Sequence, residues 1–162
     1  MTICIEQSAY RLRPFASTDV ELFRAQRAQR AQRGDMEWLR TLNESIWDRL
    51  TSDKSSRAWT GFCGERLLGF AGLIEMWPTR LVGWAMLSDT VNRRDMLWIH
   101  RAVKREIHEL PTVVKRVEIT VDAGFDAGHR WAELLGFKPE GLMESYDPNG
   151  NDHVMFSRVR RL

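Results

Sequence analysis

Imidazole is the side chain that most readily carries a proton at neutral pH, and the chain has four: His100, His108, His129 and His153. His129 falls in the first turn of an expected helix, where the helix dipole lowers proton affinity and suits a base; helix capping or packing is the other reading. His153 opens an expected strand, and like His129 it has no partner recognisable in the sequence. His100 and His108 share a basic helix without an acidic or cysteine companion at ligand spacing. Cys4 and Cys63 also lack that spacing, so no metal is expected and both cysteines read as free thiols of a reducing compartment. Arginines recur at every third position from Arg24 to Arg33, which winds them around a helix instead of lining one face. That repeat reads either as a solvated helix or as a contact for an acidic partner or nucleic-acid phosphates. The lack of interleaved aromatics and the neighbouring Glu21, Asp35 and Glu37 speak against nucleic acid.

The scaffold for these groups is bounded by composition. With 162 residues, 43% hydrophobic, 28% charged and seven tryptophans, the chain can bury one self-sufficient core, so a single domain over residues 1–162 is expected. The 24 basic and 22 acidic side chains nearly cancel, leaving no global field toward nucleic acid or an anionic membrane. The opening residues lack the basic region and apolar stretch of an export signal, and no apolar run approaches the roughly 18 residues of a membrane span. A cytoplasmic protein is the expectation.

Alternation predicts a strand over residues 9–13, and Ser17-Thr18-Asp19 then supplies caps for a helix entering the arginine repeat, which Gly34 stops. A second helix is predicted from Met36 to Leu50. A meander follows: Ala58 to Cys63, a turn at Gly64-Glu65-Arg66, Leu67 to Met76, a break at Pro78, and Leu81 to Leu87. Asp89 and Asn92 offer caps for a helix whose Met96, Ile99, Val103, Ile107 and Leu110 keep helical spacing up to Pro111. Val117 to Val121 reads as a strand, and Asp126 as the cap of a helix through Leu135 closed by Gly136. Gly141 to Tyr146 and His153 to Val159 form a hairpin around Asp147-Pro148-Asn149-Gly150. The predicted order is β-α-α-β-β-β-α-β-α-β-β, an α/β mixed sheet.

The segment Val117-Glu-Ile-Thr-Val121, followed by Gly128-His-Arg-Trp-Ala-Glu-Leu-Leu-Gly-Phe-Lys-Pro-Glu-Gly141, resembles the C-terminal half of GNAT N-acyltransferases. Leu135 to Gly141 looks like that family's Leu-Gly-Phe-x-x-Glu-Gly segment, and Tyr146 to Val159 is similar to its closing hairpin. Gly83-Trp84-Ala85, His100 to Val103 and Gly128 to Ala132 also resemble segments of short phage-encoded GNAT-like proteins, including an internal virion protein.

The resemblance implies transfer of acetyl from acetyl-CoA to a primary amine by direct attack, with no metal. It also allows a homodimer. An alternative is a catalytically silent GNAT-like scaffold, or a phage structural protein, that acts by protein interaction. By resemblance, Met86, Leu87 and Ser88 would meet the pantetheine arm, and Arg93, Arg94, Asp95, Met96 and Leu97 the pyrophosphate at a helix start. The family's phosphate loop carries glycines; Asn92-Arg93-Arg94-Asp95-Met96-Leu97 has none, so the arginines would supply the grip, or the segment is an ordinary helix start. Gly83 stands where the family often has a base glutamate, which leaves Glu75, Asp89 or Glu118 as substitutes and Glu75 as the candidate base. Ala132 stands where a tyrosine usually protonates the leaving thiolate, which leaves Tyr146 as the candidate acid.

Overall fold

The structure, a computed structural model, describes residues 9–25 and 57–160. The helix expected over Met36 to Leu50, most of the arginine repeat, Trp38, Trp47 and Cys4 lie outside the described residues.

Seven strands form one sheet: β1 (Tyr10–Pro14), β2 (Arg57–Cys63), β3 (Arg66–Trp77), β4 (Arg80–Leu87), β5 (Arg116–Asp122), β6 (Lys138–Met143) and β7 (His153–Val159), in the spatial order β1-β2-β3-β4-β5-β7-β6. Three helices accompany them: α1 (Asp19–Ala25), α2 (Arg93–His108) and α3 (Asp126–Leu134). β1 to β4 make an antiparallel meander, and β5, β7 and β6 a second antiparallel group. A single parallel pairing, β4 with β5, joins the two groups, with α2 as the connection that a parallel pair requires.

Alternation along the strands sorts the core. Val117, Ile119 and Val121 of β5 and Val154 and Phe156 of β7 pack with Ile107 of α2 and Ala132 and Leu135 of the α3 end. On the other face Phe15, Val20, Phe70, Met86 and Trp84 form a second cluster beside α1. At the meander, Gly69 has φ +151°, and a side chain there would meet the Met86 carbonyl at 2.2 Å, so the β2–β3 register shift depends on glycine.

The helix signals are partly as expected. Asn92 caps α2, its Oδ1 accepting from the N–H groups of Arg94 (2.9 Å) and Asp95 (3.0 Å), and Asp95 returns the bond to Asn92 N–H at 3.0 Å, a complete capping box. Asp126 does not cap α3. Phe125 holds that position without a side-chain bond, and Asp126 sits inside the first turn, where a negative charge suits the helix dipole. Gly136, at φ +88°, ends α3 in the left-handed conformation the sequence required. β6 begins at Lys138 and ends at Met143, earlier than the 141–146 reading. It is an edge strand, where Pro139 needs no ladder partner for its missing N–H. Among the described residues, no helix is long and apolar enough to cross a membrane.

Candidate active site

The β4–β5 ladder is short. It pairs Arg80 with Arg116, Leu81 with Val117 and Val82 with Glu118, and stops there. Beyond that point β4 stays with β3 as far as Leu87 and β5 stays with β7 as far as Asp122, so each strand remains anchored while the two part from one another. Gly83 marks the apex: a side chain on it would lie 3.0 Å from Ile119 Cγ2. A cavity of about 200 Å³ occupies the wedge, walled by Gly83, Ala85 and Leu87 of β4, by β5, and by Ile99 and Trp131 of the helices. Thr120 and Asp122 also line it, although alternation puts them on the face opposite Ile119 and Val121. The cavity therefore touches both faces of the sheet, which a continuous ladder would separate.

Two buried polar atoms on this wall, Trp131 Nε1 and His153 Nδ1, have no hydrogen-bond partner among the described residues. Such atoms are costly when left dry, so they mark where a polar ligand would be welcome. His153 is 5% exposed and lies opposite Asp122 in the β5–β7 register. Its Nε2 is 3.9 Å from Asp147 Oδ2, and the Tyr146 ring packs against it at 5.0 Å between centroids. His129 is engaged elsewhere: its Nε2 meets the Asp122 carbonyl at 2.9 Å, and its ring stands edge-on to Phe156.

The start of α2 lies just beyond the open end of β4. Asp95 is fully buried and accepts from Tyr10 Oη (2.8 Å), Arg66 (2.9 Å) and Asn92 N–H. Burial works to raise its carboxyl, but those three donors hold it below the usual aspartate value. Burial, then the bond to Asp95, pushes the Tyr10 phenol up to about 12. Ser88 spends its N–H on the Leu68 carbonyl, its hydroxyl bonds Thr90, and Thr90 and Val91 donate back to Ser88.

The residues expected at the arm and pyrophosphate thus separate. Leu87 is on the cavity wall, whereas the Met86 side chain packs into the core beside α1, and Ser88 is buried in its own turn. Arg93 and Arg94 are exposed, Asp95 turns inward, Met96 packs against the Leu68–Leu87–Ile99 cluster, and Leu97 is exposed. The wedge suits a narrow arm. The helix amides do not make a vacant phosphate cradle, because Asn92 Oδ1 takes those of Arg94 and Asp95, leaving the arginine side chains as the cationic groups there.

The expected proton-transfer residues also separate. Glu75 lies opposite Leu81, at the closed end of the β4–β5 pair, and is not on the cavity wall. Glu118 is buried under Arg80 and Arg116 and is held ionised below the usual range, first by the Arg80 bond, so it is half of an ion-pair cluster and no base. Tyr146 is half-exposed but touches His153. Reading from the sequence passed over Trp131 as core and found no partner for His153. Asp147, just upstream of the turn, becomes that partner once the hairpin folds.

No protein-family model matches the sequence, and no curated protein matches it. Solved structures do. A probable acetyltransferase superposes with a TM-score of 0.73 at 19% identity, covering 96% of this chain and 95% of the other. A chimera of the Vibrio cholerae spermidine N-acetyltransferase SpeG and hSSAT gives 0.67 at 15%, covering 94% and 96%. The ribosomal L7/L12 α-N-protein acetyltransferase RimL, in complex with coenzyme A, gives 0.65 at 14%, covering 96% of each chain. With a seven-stranded mixed sheet that superposes on these acetyltransferases over almost its whole length, the chain has the GNAT acetyltransferase fold.

Proposed function

We propose that the protein is an acyl-CoA-dependent N-acyltransferase that moves acetyl from acetyl-CoA to a primary amine. The observation that carries this reading is the end of the β4–β5 ladder at Val82–Glu118, with a cavity in the wedge beyond it. A bound thioester brings an already activated carbonyl, so the protein's work is to position it, exclude water and handle protons. In this reading Gly83 leaves room for the acyl end, and Leu87 flanks the arm. Trp131 Nε1–H donates to an amide carbonyl of the arm, which relieves its unpartnered state. Arg93 and Arg94 meet the phosphates with their side chains. Tyr146 is the proton donor to the departing thiolate. Glu75 is set aside as base because of its place at the closed end. The cytoplasm, where Cys63 stays a thiol, is the compartment this reading calls for.

The test is a thermal melt with acetyl-CoA. A ligand that binds only the folded state stabilises it by about 2.7 kcal/mol at a hundredfold excess over Kd, about 5–11 °C for a chain of this size. Thiol release should then follow with a primary amine. Spermidine, the amine named for one structural neighbour, is a suitable first probe. A second reading, a silent GNAT-like scaffold of the phage type, is favoured by one observation: Asn92 occupies the α2 amides that a pyrophosphate would use. No melt shift at millimolar acetyl-CoA would select it.

A further inference from the structure

We infer that His153 is the proton acceptor for the amine, with Asp147 as the residue that positions it and stabilises its charged form. This rests on the acyltransferase reading and adds the base that Gly83, at the usual glutamate position, does not supply.

Three observations converge on His153. It lines the wedge cavity, it is 5% exposed, and its Nδ1 has no partner among the described residues. Its Nε2 lies 3.9 Å from Asp147 Oδ2, an ion pair once the ring is protonated. Asp147 is itself held in place, accepting from Asn151 Nδ2 (2.7 Å), Asn151 N–H (2.8 Å) and Asn149 N–H (2.9 Å). Burial works to raise the Asp147 carboxyl, but the Asn151 side chain, the two backbone donors and His153 keep it below the usual aspartate value. The arrangement, a free ring nitrogen at a cavity and an anchored carboxylate behind the other, is that of an oriented base.

Alternation also places His153 with Asp122 and Thr120 on one face of the sheet, while Trp131 reaches the cavity with Ile119 and Val121 from the other. A donor held on the helix side and an amine held on the His153 side meet at the wedge. The amine nitrogen forms its bond to the thioester carbonyl carbon. The carbon–sulfur bond breaks with its electron pair on sulfur. His153 takes the proton that nitrogen sheds, and one proton reaches the sulfur to give the free thiol. The charged groups around the ring are few. Asp122 of β5 spends Oδ1 on Gly124 N–H, Asp152 beside it spends Oδ1 on Ser145 N–H, Met143 of β6 is uncharged, and Tyr146 adds its phenol. Asp147 is the carboxylate closest to an imidazolium formed there.

The experiment compares wild type, His153→Gln and Asp147→Asn in acetyl-CoA melts and in thiol release with spermidine and a panel of other primary amines across the neutral pH range. His153→Gln should keep the melt shift and lose about 10²- to 10⁴-fold in kcat. The acid limb of the kcat profile should disappear with it, and should move to lower pH in Asp147→Asn as the imidazolium loses its carboxylate. Because a buried substitution can unfold the hairpin, a second measurement uses the wild type: the His153 ring NMR signals should move when spermidine is added to the CoA-saturated protein. A His153→Gln variant that keeps its kcat within threefold overturns the inference, as does a wild type that binds acetyl-CoA but releases no thiol with any amine. Ring signals indifferent to spermidine also overturn it. Absence of a melt shift in wild type sinks the acyltransferase reading itself, a separate outcome.

Discussion

Replacing Gly83 with leucine closes the wedge at its apex. The first carbon of that side chain would sit 3.0 Å from Ile119 Cγ2 and 3.4 Å from Leu73 Cδ2, so Ile119 must give by a few tenths of an ångström. The remaining carbons have only the cavity to enter. Such overpacking costs about 1–3 kcal/mol, so the free variant should melt about 2–12 °C lower than wild type. The informative quantity is the shift that acetyl-CoA adds to each protein. At a concentration giving wild type about 2.7 kcal/mol, a hundredfold weaker Kd leaves about RT ln 2, or about 0.4 kcal/mol, and a shift of about 1–2 °C. Gly83→Ala adds only the first carbon and should retain most of the wild-type shift, which separates blockage from general damage. A Gly83→Leu protein that folds, by near-ultraviolet circular dichroism, and still gains the full shift would refute the placement of the arm at this apex.

Other outcomes follow from the same geometry. Arg93→Ala with Arg94→Ala alters exposed positions, so stability should stay within about 0.5 kcal/mol while acetyl-CoA affinity by calorimetry falls about tenfold or more; unchanged affinity removes the phosphate assignment. Added salt should weaken acetyl-CoA binding by wild type more than by that double variant. Glu140, bonded by Arg116 and then Ser157, is lowered from the usual 4.5 to about 2. A carboxyl lowered in the folded state stabilises above its unfolded value and loses that contribution as pH falls. Melting temperature should therefore drop between about pH 4.5 and 2, and Glu140→Gln should flatten that drop. The Glu140 side chain is 39% exposed, so the neutral-pH cost of the change is no more than about 1 kcal/mol.

Much of the fold was legible because its signals are local. Alternation and β-branched residues marked β2 to β5 within a residue or two, Asn92 announced the start of α2, and Gly136 the end of α3. The misses have physical causes. Pro139 hid the start of β6, since a proline argues against a strand until the strand is known to lie at an edge. Asp126 looked like a cap because its type favours one, yet chain geometry gave the position to Phe125. Glu118 read as a solvent-facing strand carboxylate. Arg116, on the same face two residues earlier, was visible in the sequence, but Arg80 reaches Glu118 only through the parallel register. The wedge is the least local feature of all. No residue type states how many pairs a parallel ladder will make, so its opening past Val82 and Glu118 needed the structure, as did the meeting of His153 with Asp147 across a turn.

The most direct trial is a crystal structure grown with saturating acetyl-CoA. The pantetheine arm should lie between β4 and β5 past Val82 and Glu118, with the acyl carbon beside Gly83 and an arm carbonyl within hydrogen-bond distance of Trp131 Nε1. Density for the ligand at any other place, or a wedge without density in crystals of protein that binds acetyl-CoA in solution, would contradict it.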